Sequence, residues 1–170
     1  MLIEFEHTQT AGQATNIAQL AGMPVQNFIV SDRAGNISWT LAGRIPARFG
    51  NYDPQIPVDW TPPNTGWNGW LDVEQYPLIN NPVSQRLWSA NSRAVSGNQL
   101  ALLGNGGYDL GARATQIRDN LLARDQFTVA DMQAIQLDYR ALLLTHWYQL
   151  LKITLESADG NLPWVAALKN

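Results

Sequence analysis

The chain has 170 residues, 45% of them apolar, a net charge of −3 and no cysteine. That is enough for one domain, or a large piece of one, with a real core. The small negative charge, with no basic run or stripe, argues against nucleic acid as a partner, and the lack of cysteine removes disulfides and thiolate metal sites.

Residues 10 to 21 read as a short helix. Ala14, Ile17, Ala18 and Ala21 recur at spacings of three and four, Gly22 suits a helix stop, and Pro24 follows. A β-hairpin comes next, with Asn27 to Asp32 as one strand, Arg33 to Asn36 as the turn and Ile37 to Leu41 as the return strand. Phe28 and Val30 alternate with polar or smaller neighbours, as do Ile37, Trp39 and Leu41, so one buried face is expected. Gly35 supplies the positive φ that such a turn usually needs. Gln26 and Asn27 enter the hairpin, and Arg48 follows it after Pro46.

From Gly43 to Asn91 the composition changes. Seven of the nine prolines lie between Pro46 and Pro82, among Trp60, Trp67 and Trp70. Proline at this density forbids long helices and central strands. The tryptophans argue for an ordered, irregular wrap rather than a linker. Leu87 to Ala90 reads as a short extended piece. A helix is expected from Leu110 to Ala123, with Asp109 as its N-cap and Leu110, Ala114, Ile117 and Leu121 as its seam. A long helix is expected to start at Thr128, capped with Asp131 in the manner of a capping box, and to carry Met132, Ile135, Tyr139, Leu142, Leu143 and Leu150 along its seam. Ser157 to Asn170 gives no clear signal. The apolar stretch Ala141 to Leu155 holds His146, Gln149 and Lys152, and is too short and too polar to span a bilayer. The chain therefore reads as soluble. Met1 to Glu4 does not open a signal peptide.

Several chemistries find little support. Gly104-Asn105-Gly106-Gly107 has Asp109 where a dinucleotide fingerprint needs glycine, and no Gly-Lys-Ser/Thr follows. It reads as a turn entering a helix. His7 and His146 share no ligand spacing, and Asp53, Asp59 and Asp72 match no calcium loop. No Gly-x-Ser-x-Gly elbow exists, and Ser31-Asp32 sits at a hairpin turn. Trp60, Trp67, Trp70 and Tyr76 form either an aromatic binding face or the packing of the wrap onto the sheet, with packing the favoured reading. Asn27 and Arg48 remain. An amide and a guanidinium at one end of a rigid hairpin suit a developing negative charge; the alternative is that Asn27 completes a turn and Arg48 pairs with a surface carboxylate.

At these residues the chain resembles the penicillin amidase (penicillin acylase) family of N-terminal-nucleophile amide hydrolases, which includes β-lactam and acyl-homoserine-lactone acylases. The resemblance runs through Pro24 to Asp32 with Gly35-Asn36-Ile37, then Gly43 to Arg48, Gly66 to Trp70, Asn81-Pro82 and Ala90 to Arg93. It ends with Arg113 to Ile117 and Leu137-Asp138, and so spans about residues 10 to 150. Ser92 and Gln116 depart from residues common in the family, and neither touches an oxyanion residue.

The resemblance implies that Asn27 is the side-chain donor of an oxyanion hole and that Arg48 sits behind it and orients it. It implies a serine nucleophile at a new N-terminus, with its own α-amino group as base. No serine of this chain has the family's cleavage context, so none is assigned as nucleophile, and no metal or cofactor ligands are assigned. Residues 1–170 are thus expected to be a single interior fragment of a penicillin-amidase-type catalytic domain, from the large chain, and inactive alone. The fold class expected is α+β, a small antiparallel sheet with three helices and a proline/tryptophan-rich wrap, contributing to an αββα sandwich in the longer protein. Expected partners are the remainder of that acylase and a small-molecule amide, with calcium as a ligand of the full-length protein and a periplasmic or extracellular location. The fragment's exposed strand edges would favour dimerisation. The rival reading is a non-catalytic binding or packing module with an aromatic-rich surface.

Overall fold

A computed structural model describes residues 2–169. Met1 and Asn170, named above at the two chain ends, lie outside the described residues. The fold is α+β, with small antiparallel sheets and short helices, as expected. The chain divides into two compact units, Met1–Arg124 and Asp125–Asn170.

In the first unit, helix α1 (Ala11–Leu20) follows a 3-10 turn (Leu2–His7). Thr10 caps α1 by accepting from the Gln13 amide, while Gln13 reaches back to the Thr10 amide. Strands β1 (Gln26–Ser31) and β2 (Ile37–Ala42) form the hairpin, and β5 (Leu78–Asn80) pairs with the other edge of β2. Gly35 takes φ +86°, the left-handed conformation inferred for the turn. A second sheet joins β3 (Pro46–Phe49) to β4 (Gly66–Trp70), with a register shift where Gly69 takes φ +77°. Helices α2 (Gly97–Leu103) and α3 (Ala112–Leu122) complete the unit.

The core lies between α1 and the three-stranded sheet. Ala11, Ala14, Ala18 and Ala21 are buried, and alanine lets the helix approach the strands closely. Across from them are Ser38, Thr40 and Ala42 of β2. Gln19 donates through Nε2 to Thr40 Oγ1 at 3.0 Å, and Thr40 Oγ1 donates to the Pro77 carbonyl at 2.9 Å. This buried chain ties the helix, the central strand and the approach to β5 together.

The hairpin register corrects the expectation of a single apolar face. Phe28 pairs with Thr40 and Val30 with Ser38, so they share a face with the polar residues of β2. Trp39 lies on the opposite face with Asn27 and Ile29. Both faces of β2 are used: one packs against α1, and the other carries Trp39, which is buried.

Asp32 links the hairpin turn to α1. Its carboxylate accepts from the Ala34 and Asn36 amides and the Asn36 side chain, and from the Ala11 amide at the start of α1. Gly43, with φ +94°, brings the backbone so close that a Cβ there would stand 2.5 Å from the Met23 carbonyl oxygen. Its amide donates to the Ala18 carbonyl.

Other expectations need correction. Asp109 does not cap α3; Gly111 occupies that position, Leu110 lies outside the helix, and Asp109 pairs with Arg113. Trp67 and Trp70 are 60% and 54% exposed, so they do not pack the wrap under the sheet.

In the second unit, Thr128 and Asp131 form the expected capping box of α4 (Val129–Gln136). The long helix expected beyond it is broken. A 3-10 turn (Leu142–Leu144) leads into α5 (Thr145–Ser157). The Asp138 side chain accepts from the Arg140 amide, competing with helical pairing, and also binds the Arg140 guanidinium. The apolar period runs through this break because it records which side chains are apolar, not whether the backbone bonds persist. Helix α6 (Pro163–Lys169) was not anticipated; Pro163 is its first residue, a favoured place for proline. With α2 and α6, and with the long helix divided, the described residues hold six α-helices rather than three. Leu155 and Val165 are buried, while Trp147, Tyr148, Leu150 and Ile153 remain more than half exposed. No described helix is long and apolar enough to cross a membrane.

The Asp32 bonds hold its carboxyl below the ordinary carboxylate range, the Asn36 side chain being the largest cause. A depressed folded-state value means the stabilisation is present above the unfolded value and is lost as pH falls through the folded one. The thermal midpoint should therefore drop as pH falls below about 4. Asp32→Asn should lower the midpoint at neutral pH and flatten that acid drop, leaving the part due to Asp59, which Thr61 also holds low. Melting curves of the two proteins from pH 7 to pH 3 with equal acid slopes would contradict this.

Candidate functional site

One cleft of about 430 Å³ opens beside the hairpin, lined by Asn27, Trp39 and Leu41 of the sheet, Arg48 of β3, and residues 90–92, 94–95 and 106–109. Both residues singled out in the sequence therefore reach the same cleft. Asn27 is the second residue of β1, opposite Leu41. Arg48 lies on β3, opposite Trp67.

The Asn27 carboxamide is fixed at both ends. Its Oδ1 accepts from the Trp39 indole Nε1 at 2.9 Å, and its Nδ2 donates to the Ala90 carbonyl at 3.2 Å. Trp39 is 2% exposed, so the indole is a rigid donor. The guanidinium of Arg48 makes no hydrogen bond or ion pair among the described residues, and the group that engages the Asn27 oxygen is the indole. The expected arrangement, a guanidinium orienting the amide, did not include this bond. The hairpin register carried the signal. Residue 39 stands beside the partner of residue 27 on the same face, and an indole there has one N–H to satisfy.

The strand bearing Arg48 is held by a buried tyrosine. Tyr76 Oη accepts from the Ile45 amide and donates to the Gly43 carbonyl, each at 3.0 Å. The far wall is pinned separately. Arg113 donates to Asn91 Oδ1 at 2.7 Å and pairs with Asp109 at 3.2 Å, and the Asp109 amide donates to the Asn91 carbonyl. Arg93 lies over the Tyr108 ring at 5.9 Å. These bonds join the loop at 90–95 to the start of α3.

The remaining sequence candidates are accounted for locally. Gly104 ends α2, and Asn105 docks onto Pro54 and Gln55, which makes 104–107 an anchored connection. Asp53 and Asp59 each accept from a backbone amide two residues on. Among the described residues no group of three or more His, Asp or Glu side chains could hold a metal ion. Tyr52, Trp60 and Trp67 form an edge-to-face series with ring centroids 5.1 Å and 5.5 Å apart.

Residues 1–170 match the sequence model of the penicillin amidase family, and the chain belongs to that family. It is 28% identical over 158 residues to the penicillin acylase 2 proenzyme of Pseudomonas sp. (strain SE83), which covers 88% of this chain and 20% of that protein. Its fold is similar to that of the thermostable penicillin G acylase from Alcaligenes faecalis, with a TM-score of 0.57 at 18% identity, covering 84% of this chain and 26% of the solved one. The chain thus spans a small part of the length of the relatives it matches.

Tyr76→Phe should leave the Ile45 amide and the Gly43 carbonyl without their buried partner. The expected cost is about 1–3 kcal/mol. Thermal denaturation should show a midpoint lower by several degrees, and an unchanged midpoint would refute the bracing role.

Proposed function

We propose that this chain is part of a longer amide hydrolase of the penicillin amidase family, acting by acyl transfer through an N-terminal serine, with Asn27 as one donor of the oxyanion hole. The observation that carries the reading is the Asn27 carboxamide, fixed by two hydrogen bonds at the edge of a cleft that also holds a guanidinium unpaired among the described residues.

The serine would come from elsewhere in the longer protein. Its oxygen attacks the carbonyl carbon and its proton passes to the free α-amino group. The carbonyl π electrons move onto oxygen, giving a tetrahedral oxyanion. Collapse expels the amine, which takes the proton, and leaves an acyl-serine for water to hydrolyse. A fixed amide N–H aimed at the oxyanion stabilises the transition state more than the substrate, because the charge appears only there. Arg48, with its permanent charge, favours an anion in the same cleft.

On this reading the chain alone does not turn over substrate, because an oxyanion donor without a nucleophile is not a catalyst. The apolar faces of residues 125–170 rest against other parts of the longer protein. Export to the periplasm or exterior, by analogy with the family, is part of the same proposal.

In the full-length protein, Asn27→Ala should lower kcat on a chromogenic amide panel by about 10²–10³-fold. The variant should remain folded by circular dichroism. Unchanged turnover on every amide that the wild type hydrolyses would overturn the assignment.

The exposure of Trp67 and Trp70 favours a second reading, an aromatic surface that binds ligand without chemistry. A saturable change in tryptophan fluorescence with sugars or arylacetic acids, in a protein without amidase activity, would support it. Absence of any such change would remove it.

A further inference from the structure

We infer that Trp39 is a positioning residue for the reaction: its indole N–H fixes which end of the Asn27 carboxamide faces the cleft. This inference rests on the oxyanion reading of Asn27.

A carboxamide has two ends of similar size and opposite chemistry. Only the nitrogen end can stabilise an oxyanion, so an asparagine free to flip would present the wrong end for part of the time. Here the flip is blocked twice. Oδ1 faces the Trp39 donor at 2.9 Å, and Nδ2 faces the Ala90 acceptor at 3.2 Å. Turning the group over would set nitrogen against an N–H and oxygen against a carbonyl, losing both bonds and creating two repulsions.

The two partners are not equivalent. The Ala90 carbonyl belongs to a loop segment and uses one of the two Nδ2 hydrogens. Trp39 belongs to the central strand, is almost wholly buried, and holds the oxygen without using either hydrogen. The second Nδ2 hydrogen has no acceptor among the described residues and stays available for an incoming anion. The indole also withdraws electron density from Oδ1, which polarises the amide and strengthens its remaining donor.

The test is a double-mutant cycle in the full-length protein, with kcat and KM measured separately on a chromogenic amide. Trp39→Phe keeps an aromatic ring and removes the N–H. A stricter companion replaces Trp39 with the benzothiophene analogue of tryptophan, in which sulfur takes the place of the N–H at nearly equal shape. Both should lower kcat by about 10- to 100-fold with KM nearly unchanged, as expected for a misplaced catalytic group. In an Asn27→Ala background the same changes should have no further effect on kcat, because the group they orient is gone.

If Asn27→Ala lowers kcat but the benzothiophene variant does not, the positioning role is wrong and the oxyanion reading stands. A loss of the same size with and without Asn27 would mark Trp39 as packing only and would equally overturn the inference. If Asn27→Ala leaves kcat unchanged, the reading beneath it fails. Should Trp39→Phe not fold, the near-isosteric analogue decides among these outcomes.

Discussion

Strand β2 is the constraint on which the rest of the first unit depends. It is paired on both edges, with α1 packed on one face and the cleft beside the other. One face carries Ser38, Thr40 and Ala42 against α1. The other carries Trp39, which holds Asn27. A slip of one residue would exchange these faces, placing the indole against the alanines of the helix and Thr40 at the cleft. On the proposed reading of Asn27, the register therefore matters for function as well as for packing. It is set by the Gly35 turn and by Asp32, which binds that turn and the first residue of α1 together.

Between α1 and the three-stranded sheet the core is held by small side chains and satisfied polar groups. Thr40 is fully buried, yet its hydroxyl has both a donor and an acceptor partner. Tyr76 is used in the same way between Gly43 and Ile45. Such groups contribute modestly when satisfied and cost more when one partner is removed, so they specify geometry more sharply than their net energy suggests. That suits a cleft whose two candidate residues come from different sheets. Asn27 stands on the three-stranded sheet and Arg48 on the two-stranded one, and Tyr76 clasps the short connection between β2 and β3.

Much of this was legible in the sequence, and the exceptions share a cause. The hairpin, α1 and the capping box at Thr128 depend on contacts within a few residues, and they appear as expected. The face of β2 that carries Thr40 was not anticipated, because threonine is buried there only through Gln19 and Pro77, 21 and 37 residues away. The helix after Thr128 was expected to be continuous because apolar period outlasts backbone pairing, and Asp138 interrupts the pairing without interrupting the period. Trp67 and Trp70 were expected inside on the strength of their area alone, but area does not supply the facing layer that burial needs, and both are more than half exposed. At the site, Asn27 and Arg48 were found from residue type and motif. Their surroundings were not, since the Ala90 carbonyl is 63 residues from Asn27.

The charge of the cleft follows from which groups are already partnered. Asp109 is the carboxylate on its wall, and Arg113 pairs with it. Arg48 is the opposing cation, and no described carboxylate pairs with it. The balance favours an anion, and it does so without a preformed ion pair that would have to break first. An exposed guanidinium alone would discriminate weakly, because water screens it. The carboxamide adds what the guanidinium lacks, a dipole whose direction is fixed before the charge arrives. On the proposed oxyanion reading, reorganisation is then small at the moment of reaction, and the stabilisation falls on the species in which the charge has formed.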